Sequence, residues 1–137
     1  MTIALDTGVA LAAADRDEPR HHDCVELLLG HRSQLVMAAP AVAETAWMIE
    51  SRLGPAAETR FLALVTEGHL QVEDLTLDDY RRCVELIDTY ADMGLGLVDA
   101  SVITIAERLG IATIATLNHR DFTIVRPRHT EAFELIP

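Results

Sequence analysis

Short apolar runs alternate along the chain with longer segments in which apolar residues recur every three or four positions. The short runs predict strands at residues 2–6, 34–38, 69–73 and 111–115, with further strand-forming sequence at 122–125 and a last apolar run at 133–136. Helical spacing and end signals predict helices over residues 8–14, 20–30, 41–52, 55–67, 77–91 and 98–109. This alternation predicts an α/β fold with a mostly parallel central sheet and helices on both faces. Because no linker or repeat interrupts the pattern, we expect one domain over residues 1–137.

The helix predicted from residue 77 has the clearest signals in the chain. Thr76 is a good N-cap, and aspartates fill the first helical turn. Its apolar residues then recur on one helix face, at Leu77, Tyr80, Val84, Ile87 and Ala91. Such a stripe is typical of the helix face that packs on a core.

Composition and charge narrow the classes of protein. Half of the 137 residues are hydrophobic, the net charge is −11, and all eleven basic residues are arginine. This negative charge argues against non-specific nucleic-acid binding, unless clustered acids hold divalent cations or a basic partner covers part of the surface. No apolar run reaches the roughly 20 residues that span a membrane, and no signal peptide is visible. Cys24 and Cys83 are expected to be buried free thiols, for which a reducing cytoplasm is the default.

Three acids lie in apolar sequence, unlike most of the others. Asp6 follows the first predicted strand, and Glu44 and Asp99 are each flanked by apolar residues in predicted helices. Each has a structural interpretation: Asp6 and Asp99 as helix caps, Glu44 as an outward-facing helix residue. A buried carboxylate needs a proton, a partner or a metal, and the chain has no lysine to pair with it. Acid clusters of this kind suit hard cations such as Mg²⁺ or Mn²⁺.

Four short motifs then occur in a recognisable order. They are Leu5-Asp6-Thr7, Ala43-Glu44, Leu97-Val98-Asp99-Ala100-Ser101, and the run from Ile114 to Phe122 that includes Thr116-Leu117-Asn118-His119-Arg120-Asp121. In this order and spacing the chain resembles a PIN domain, and more narrowly a bacterial VapC-type toxin ribonuclease. The resemblance implies a three-layer α/β/α sandwich, a metal-dependent nuclease site, a small cognate antitoxin as partner, and a toxin homodimer.

The resemblance assigns roles residue by residue. Asp6, Glu44 and Asp99 match the three family acids that hold Mg²⁺ or Mn²⁺, and Thr7 and Thr116 match two family hydroxyls. The last motif usually reads Thr-x-Asp, but its third position here is Asn118, an amide that can ligate through oxygen without bringing charge. Asp121, three residues later, is expected to compensate. Gly8 also stands where the family commonly has serine.

Several further residues have two interpretations each. Asp92 either approaches the acid site from the end of its helix or is a solvated acid. The arginines after the site, Arg120, Arg126 and Arg128, either contact RNA phosphate or pair with surface acids. Trp47 either packs in a core or interface or stacks on an RNA base.

The leading hypothesis is a cytoplasmic metal-dependent endoribonuclease, the toxin of a toxin–antitoxin pair. The alternative is a PIN-fold protein that binds RNA or a partner with little or no turnover, which Asn118 favours. A receiver-type phosphoacceptor domain would need a lysine on a late strand, which the chain lacks. We expect an apolar antitoxin interface on the early helices, with Leu11, Val25, Leu28 and Leu29, and on the helix that carries Trp47.

Overall fold

A computed structural model describes all 137 residues, from Met1 to Pro137. The strands are β1 (Ile3–Leu5), β2 (Leu35–Ala38), β3 (Leu70–Glu73), β4 (Thr113–Ala115) and β5 (Glu134–Ile136). The helices are α1 (Thr7–Ala14), α2 (His21–Gly30), α3 (Ala39–Leu53), α4 (Pro55–Thr66), α5 (Leu77–Thr89), α6 (Leu97–Leu109) and α7 (His119–Ile124), with a short 3₁₀ turn at Ala91–Met93. This order of elements confirms the α/β fold class expected from the apolar pattern.

The five strands form one parallel sheet in the order β3-β2-β1-β4-β5. The chain starts in the middle of the sheet, moves through β2 to β3, and then crosses to β4 on the other side of β1. Right-handed crossovers therefore place α5 and α6 on the face opposite α1 and α2. The order reverses between β1 and β4, and such a switch point is where open α/β sheets bind ligands, beyond the carboxyl ends of the strands.

One apolar core holds the layers together. It contains 32 buried hydrophobic residues, mostly alanine, valine, leucine and isoleucine. All three residues of β1 and all four of β2 are buried, as expected for central strands covered on both faces. Both cysteines are buried and free, which confirms their expected state. No helix of the structure has both the length and the apolar character that crossing a membrane requires.

Two predictions about local structure are wrong. Residues 122–125, expected to be a strand, belong mostly to helix α7, because Asn118 caps this helix and Phe122 is buried from it. Most of the apolar stripe of α5 does not pack on the core either: Leu77, Tyr80 and Val84 are exposed, whereas Ile87 is partly buried against the core.

The buried face of α5 carries Asp79, Cys83 and Leu86 instead. Asp79 is buried because its carboxylate accepts hydrogen bonds from the Thr76 N–H and from Arg108 Nε of α6, at 3.0 and 3.1 Å. Asp79 therefore occupies a core-facing position because its carboxylate is fully hydrogen-bonded, although a pattern of hydrophobic residues alone predicts that an aspartate faces solvent.

Candidate active site

Asp6 lies at the switch point of the sheet. β1 and β4 pair in register with Leu5 opposite Ala115, so the residues that follow them, Asp6 and Thr116, leave the sheet side by side. The Thr116 hydroxyl donates a hydrogen bond to Asp6 Oδ2 at 2.8 Å. The Thr7 N–H donates to Asp6 Oδ1, also at 2.8 Å, so Asp6 caps α1 as well. Oδ1 caps α1, whereas Oδ2 contacts Thr116, so the role of Asp6 as a helix cap does not exclude a role in a functional site.

Burial makes Asp6 an unusual acid. Only 6% of the residue is exposed, and this burial raises the pKa of its carboxyl although the bonds from Thr116 and Thr7 favour ionisation. The nearby charge of Glu44, from α3, raises this pKa further. No positive charge acts on it, so ionised Asp6 has hydrogen bonds but no counter-ion.

Asp99 also has a strongly raised pKa. It lies in the first turn of α6, and its pKa is raised from 3.8 to about 6. Burial is the largest cause, followed by the charges of Asp6, Asp121 and Glu44. Four carboxylates from four separate elements thus act on one another at this end of the sheet. None of Asp6, Glu44 and Asp99 takes part in any ion pair of the structure.

The fourth acid, Asp121, is fixed by Asn118. The Asn118 amide Nδ2 donates to Asp121 Oδ2 at 2.9 Å, and Asn118 Oδ1 accepts from the Asp121 N–H at 3.3 Å. The Asn118 N–H in turn donates to Thr116 Oγ1 at 2.9 Å. A continuous hydrogen-bonded path therefore runs from Asp6 through Thr116 and Asn118 to Asp121. Sequence reasoning treated Asn118 as a departure from the motif and missed its contact with Asp121; their spacing of three residues at a helix start is the signal of such a cap.

The donor set fits a hard cation in its chemistry. Thr7 Oγ1 is the one buried side-chain oxygen or nitrogen that has no hydrogen-bond partner, and it belongs to the residue directly after Asp6. Carboxylates, hydroxyls and an amide are oxygen donors, which suit Mg²⁺ or Mn²⁺. No group of three His, Cys, Asp or Glu side chains is close enough to hold an ion without help. Mg²⁺ commonly takes only one or two carboxylates, keeps several waters and uses substrate phosphate as a ligand, so this spacing is compatible with it.

The remaining residues singled out in the sequence lie in different surroundings. Arg120 is exposed, and its Nε lies 3.5 Å from Asp121 Oδ1 at the edge of the acid cluster. Arg126 Nη1 donates to the Thr123 carbonyl at 2.7 Å, at the end of α7. Asp92 is exposed in the 3₁₀ turn and is not among the charges that act on Asp99. Trp47 is 68% exposed on α3, which excludes a place in the core.

An apolar groove lies on another part of the surface. Its volume is about 590 Å³, and it runs between α2 and α4. Of the residues expected at an antitoxin interface, Val25, Leu28 and Leu29 line it, whereas Leu11 is buried in the core. The opposite wall comes from α4, including Phe61 and Leu64, and not from the helix of Trp47. The sequence does carry a signal for α4, since Phe61 and Leu64 are spaced as one helix face.

Positive charge surrounds this groove in an otherwise acidic protein. Arg16, Arg32 and Arg60 line it, with Glu67 as the single acid. Three of the eleven arginines of a chain with net charge −11 are therefore placed around one apolar surface.

Comparison with known proteins decides the family. The family model for the PIN domain matches residues 3–126. The chain belongs to the PIN domain family. Among PIN proteins it is similar to Ribonuclease VapC26 of Mycobacterium tuberculosis, with 29% identity over 133 residues, which cover 97% of this chain and 98% of that protein. The family resemblance read from the motifs is thus confirmed.

Solved structures share the PIN fold. The crystal structure of Mycobacterium tuberculosis VapC20, described as a sarcin–ricin loop cleaving toxin, has a TM-score of 0.76 at 20% identity, covering 82% of this chain and 87% of that one. VapBC2 from Rickettsia felis, crystallised with a DNA fragment from its promoter, has a TM-score of 0.68 at 18% identity, with 98% and 97% covered. At these identities the likeness concerns the fold, and it agrees with the three-layer α/β/α arrangement.

Proposed function

We propose that this PIN domain is a metal-dependent endoribonuclease that acts in the cytoplasm as the toxin of a toxin–antitoxin pair. One observation carries the proposal: the charges of Asp6, Asp121 and Glu44 act on Asp99 without a nearby cation and help to raise its pKa to about 6. Strongly perturbed acids in one cluster are typical of catalytic and metal sites. Similarity to a protein named as a ribonuclease supports RNA as the substrate.

The proposed roles follow the contacts of each residue. Asp6, Glu44 and Asp99 would hold Mg²⁺ or Mn²⁺, with Asp121 as a fourth carboxylate. A bound ion would polarise the scissile phosphodiester and lower the pKa of an attacking water, so that hydrolysis leaves a 5′-phosphate and a 3′-hydroxyl. Asn118 orients Asp121 through its amide, and its Oδ1 keeps a second lone pair with which it can still act as a ligand.

Hydroxyls and arginines would complete the site. Thr116 orients Asp6, and the free Thr7 hydroxyl offers a further oxygen beside it. Arg120, exposed next to Asp121, is placed to contact an RNA phosphate, with Arg126 further along the chain.

The test of the enzyme is cleavage of RNA by the purified chain. A 5′-labelled pool of random 20-nucleotide RNAs is incubated with protein and Mg²⁺, Mn²⁺ or EDTA. We expect cleavage with either metal, no cleavage with EDTA, and none by the Asp6→Asn variant. RNA binding without metal-dependent cleavage would instead favour the alternative, a binding protein with little or no turnover.

A second test counts the metal ions. Calorimetric titration of Mn²⁺ into metal-free protein is compared with the same titration of Asp99→Asn. Binding that is lost in the variant assigns the metal to this cluster, and the stoichiometry reports whether Asn118 and Asp121 support a second ion. Binding that is unchanged in the variant would remove Asp99 from the metal site.

The groove between α2 and α4 is the proposed antitoxin site. Its apolar walls suit the apolar face of a helix, and Arg16, Arg32 and Arg60 favour a helix with acidic residues beside that face. Leu64→Ala should weaken binding of the cognate antitoxin, and Arg60→Glu should slow association. Leu62→Ala is the matched control, because Leu62 lies on α4 but does not line the groove. Equal effects of Leu64→Ala and Leu62→Ala would move the interface elsewhere.

The toxin homodimer is proposed to use the exposed stripe of α5. Leu77, Tyr80 and Val84 are each about half exposed or more, and together they form one apolar strip on a helix. A second copy of this strip would remove it from water. Val84→Glu should convert a dimer to a monomer in sedimentation, whereas an unchanged mass would exclude this face.

A further inference from the structure

Trp47 has unusual surroundings for the single tryptophan of the chain. It is 68% exposed on α3, and its indole N–H donates to nothing in the structure. The buried face of α3 consists of Ala41, Thr45 and Ile49, which leaves Trp47 on the solvent side.

Trp47 is next to the acid cluster. It follows Glu44 by three residues in the same helix, so the two side chains are neighbours on the helix surface, with Cβ atoms about 5–6 Å apart. Glu44 acts on both Asp6 and Asp99, and therefore belongs to the cluster. The cluster thus has an exposed aromatic ring on its Glu44 side and the exposed guanidinium of Arg120 on its Asp121 side.

We infer that Trp47 stacks on a base of single-stranded RNA beside the scissile phosphate and thereby helps to position the substrate. This rests on the proposed ribonuclease function. An exposed indole offers a flat apolar face on which any base can stack, which is the usual way in which proteins hold unpaired nucleotides. A phosphate on the acid cluster, with its ion, would leave the adjacent base within reach of this ring.

The surroundings of Trp47 favour RNA over a second protein copy. Its neighbours one turn away along α3 are Ala43, Glu44, Glu50 and Ser51, none of which is a large apolar residue. Protein interfaces place a tryptophan anchor among other desolvated residues, whereas this one is isolated between two glutamates. The exposed stripe of α5 has the continuous apolar character that Trp47 lacks.

The decisive experiment is kinetic and uses one RNA selected from the random pool because the wild-type protein cleaves it. Trp47→Ala should raise KM about 5- to 150-fold, the loss expected for one stacked base, with a smaller change in kcat. Trp47→Phe should recover most of this loss because it restores an aromatic face. Leu53→Ala, an exposed residue further along α3, is the matched control and should cleave like the wild type.

An abasic scan locates the stacked base. Abasic nucleotides replace the bases of this RNA one at a time, and each RNA is cleaved by the wild type and by Trp47→Ala. At one position next to the cleaved bond, the abasic change should weaken wild-type cleavage but cause no further loss in Trp47→Ala. Additive losses at every position, or equal cleavage by Trp47→Ala and wild type, would overturn the inference while leaving the ribonuclease intact.

Fluorescence gives a readout that does not depend on turnover. Because Trp47 is the only tryptophan, emission that is excited at a wavelength which the two tyrosines do not absorb reports this residue alone. Rapid mixing with 12-nucleotide oligoadenylate and Mg²⁺ should quench the emission before cleavage. RNA binding without quenching rejects stacking, and a lack of both binding and cleavage rejects the proposed function as well. Emission that depends on protein concentration without RNA, together with a lower sedimenting mass for Trp47→Ala, would show a contact between copies instead.

Discussion

Helix α6 carries two partly buried carboxylates with opposite surroundings. Near its end, Glu107 accepts hydrogen bonds from Arg82 Nε and Nη2 at 2.8 and 2.9 Å and from the Arg128 N–H at 2.8 Å. Burial opposes its ionisation, but these contacts prevail and lower its pKa. In the first turn, Asp99 has no cation, and burial with three acidic neighbours raises its pKa to about 6.

The two acids therefore differ in how their charge is balanced: Glu107 is paired with an arginine of the same protein, whereas Asp99 has no cationic partner. The Glu107 side chain is 9% exposed and that of Arg82 16%, so this ion pair links α5 to α6 away from water. The chain therefore can neutralise a buried carboxylate with arginine where the fold needs it. At the end of β1 and β4 it leaves Asp6, Glu44 and Asp99 without an ion pair, which suits a cation from solution.

Neutralising Asp99 should have the largest effect of all the changes considered. Asp99→Asn should lower metal-dependent RNA cleavage on the order of 1,000-fold, because it removes a charge that we propose holds the ion. Glu107→Gln, a neutralisation on the same helix, should leave the cleavage rate per folded molecule close to that of the wild type. The measurement is kcat/KM on the selected RNA, with folded protein quantified by circular dichroism. An equal loss of kcat/KM in both variants would show that Asp99 has no role in cleavage that Glu107 lacks.

Changes at Glu107 should affect the free energy of unfolding more than they affect RNA cleavage, which is the reverse of what we expect for Asp99. Glu107→Leu removes two of the three carboxylate contacts of the largely buried Arg82 guanidinium and leaves only the one to Glu85, which we expect to lower the free energy of unfolding by about 2 kcal/mol. The double variant Arg82→Leu with Glu107→Leu should be less destabilised than the single one, because it leaves no largely buried guanidinium that has lost hydrogen bonds. Urea unfolding of both variants and the wild type tests this. A single variant as stable as the wild type would mean that the ion pair contributes nothing to holding α5 on α6.

Without metal, Asp99→Asn should be more stable than the wild type at neutral pH. The folded-state pKa of about 6 lies above the unfolded value of 3.8, so the folded state binds more protons between them and wild-type stability falls as pH rises through this window. Asparagine does not titrate. After allowance for solvent screening of a partly exposed group, the variant should gain about 1–2 kcal/mol at pH 7 and nothing near pH 3.5.

Urea unfolding in EDTA at several pH values measures this gain, and Mn²⁺ should remove it by stabilising only the wild type. Glu107 predicts the opposite trend for its own contribution, which is present at neutral pH and lost as pH falls below about 4.5, since its folded-state pKa is lowered. A stability difference between Asp99→Asn and wild type that does not change with pH would show that Asp99 is not perturbed.

The sequence predicts the strand ends well because the signal there is local. An apolar strand followed at once by Asp6 or by Thr116 places both at one edge of a parallel sheet, and the register of β1 and β4 brings them into contact. Ion-pair partners that lie far apart in the sequence cannot be predicted from such local patterns. The pairing of Glu107 with Arg82 spans 25 residues, and that of Asp79 with Arg108 spans 29.

The two wrong predictions have the same origin. The core-facing side of α5 could not be recognised because Asp79 is polar in sequence and becomes satisfied only when Arg108 packs beside it. Residues 122–125 have strand-forming side chains, but the Asn118 cap and the burial of Phe122 stabilise a helix there. In both places contacts that side-chain propensity does not reveal, an ion pair between helices at α5 and a helix cap with a buried ring at α7, outweigh local propensity.

The smallest expected effect on cleavage concerns Asn118, which either acts with the acid cluster or only caps helix α7. Asn118→Ala removes the cap of α7, at a cost of about 1 kcal/mol, and frees the Asp121 carboxylate. If Asp121 acts with the other acids, cleavage should fall about tenfold, as for other residues that orient metal ligands. Thr76→Ala is the matched control, because Thr76 caps α5 through the Asp79 N–H and lies outside the cluster. It should lose similar stability and keep its cleavage rate. A tenfold loss in both variants would make Asn118 a cap and nothing more, whereas a loss confined to Asn118→Ala places the amide among the residues that arrange the four acids.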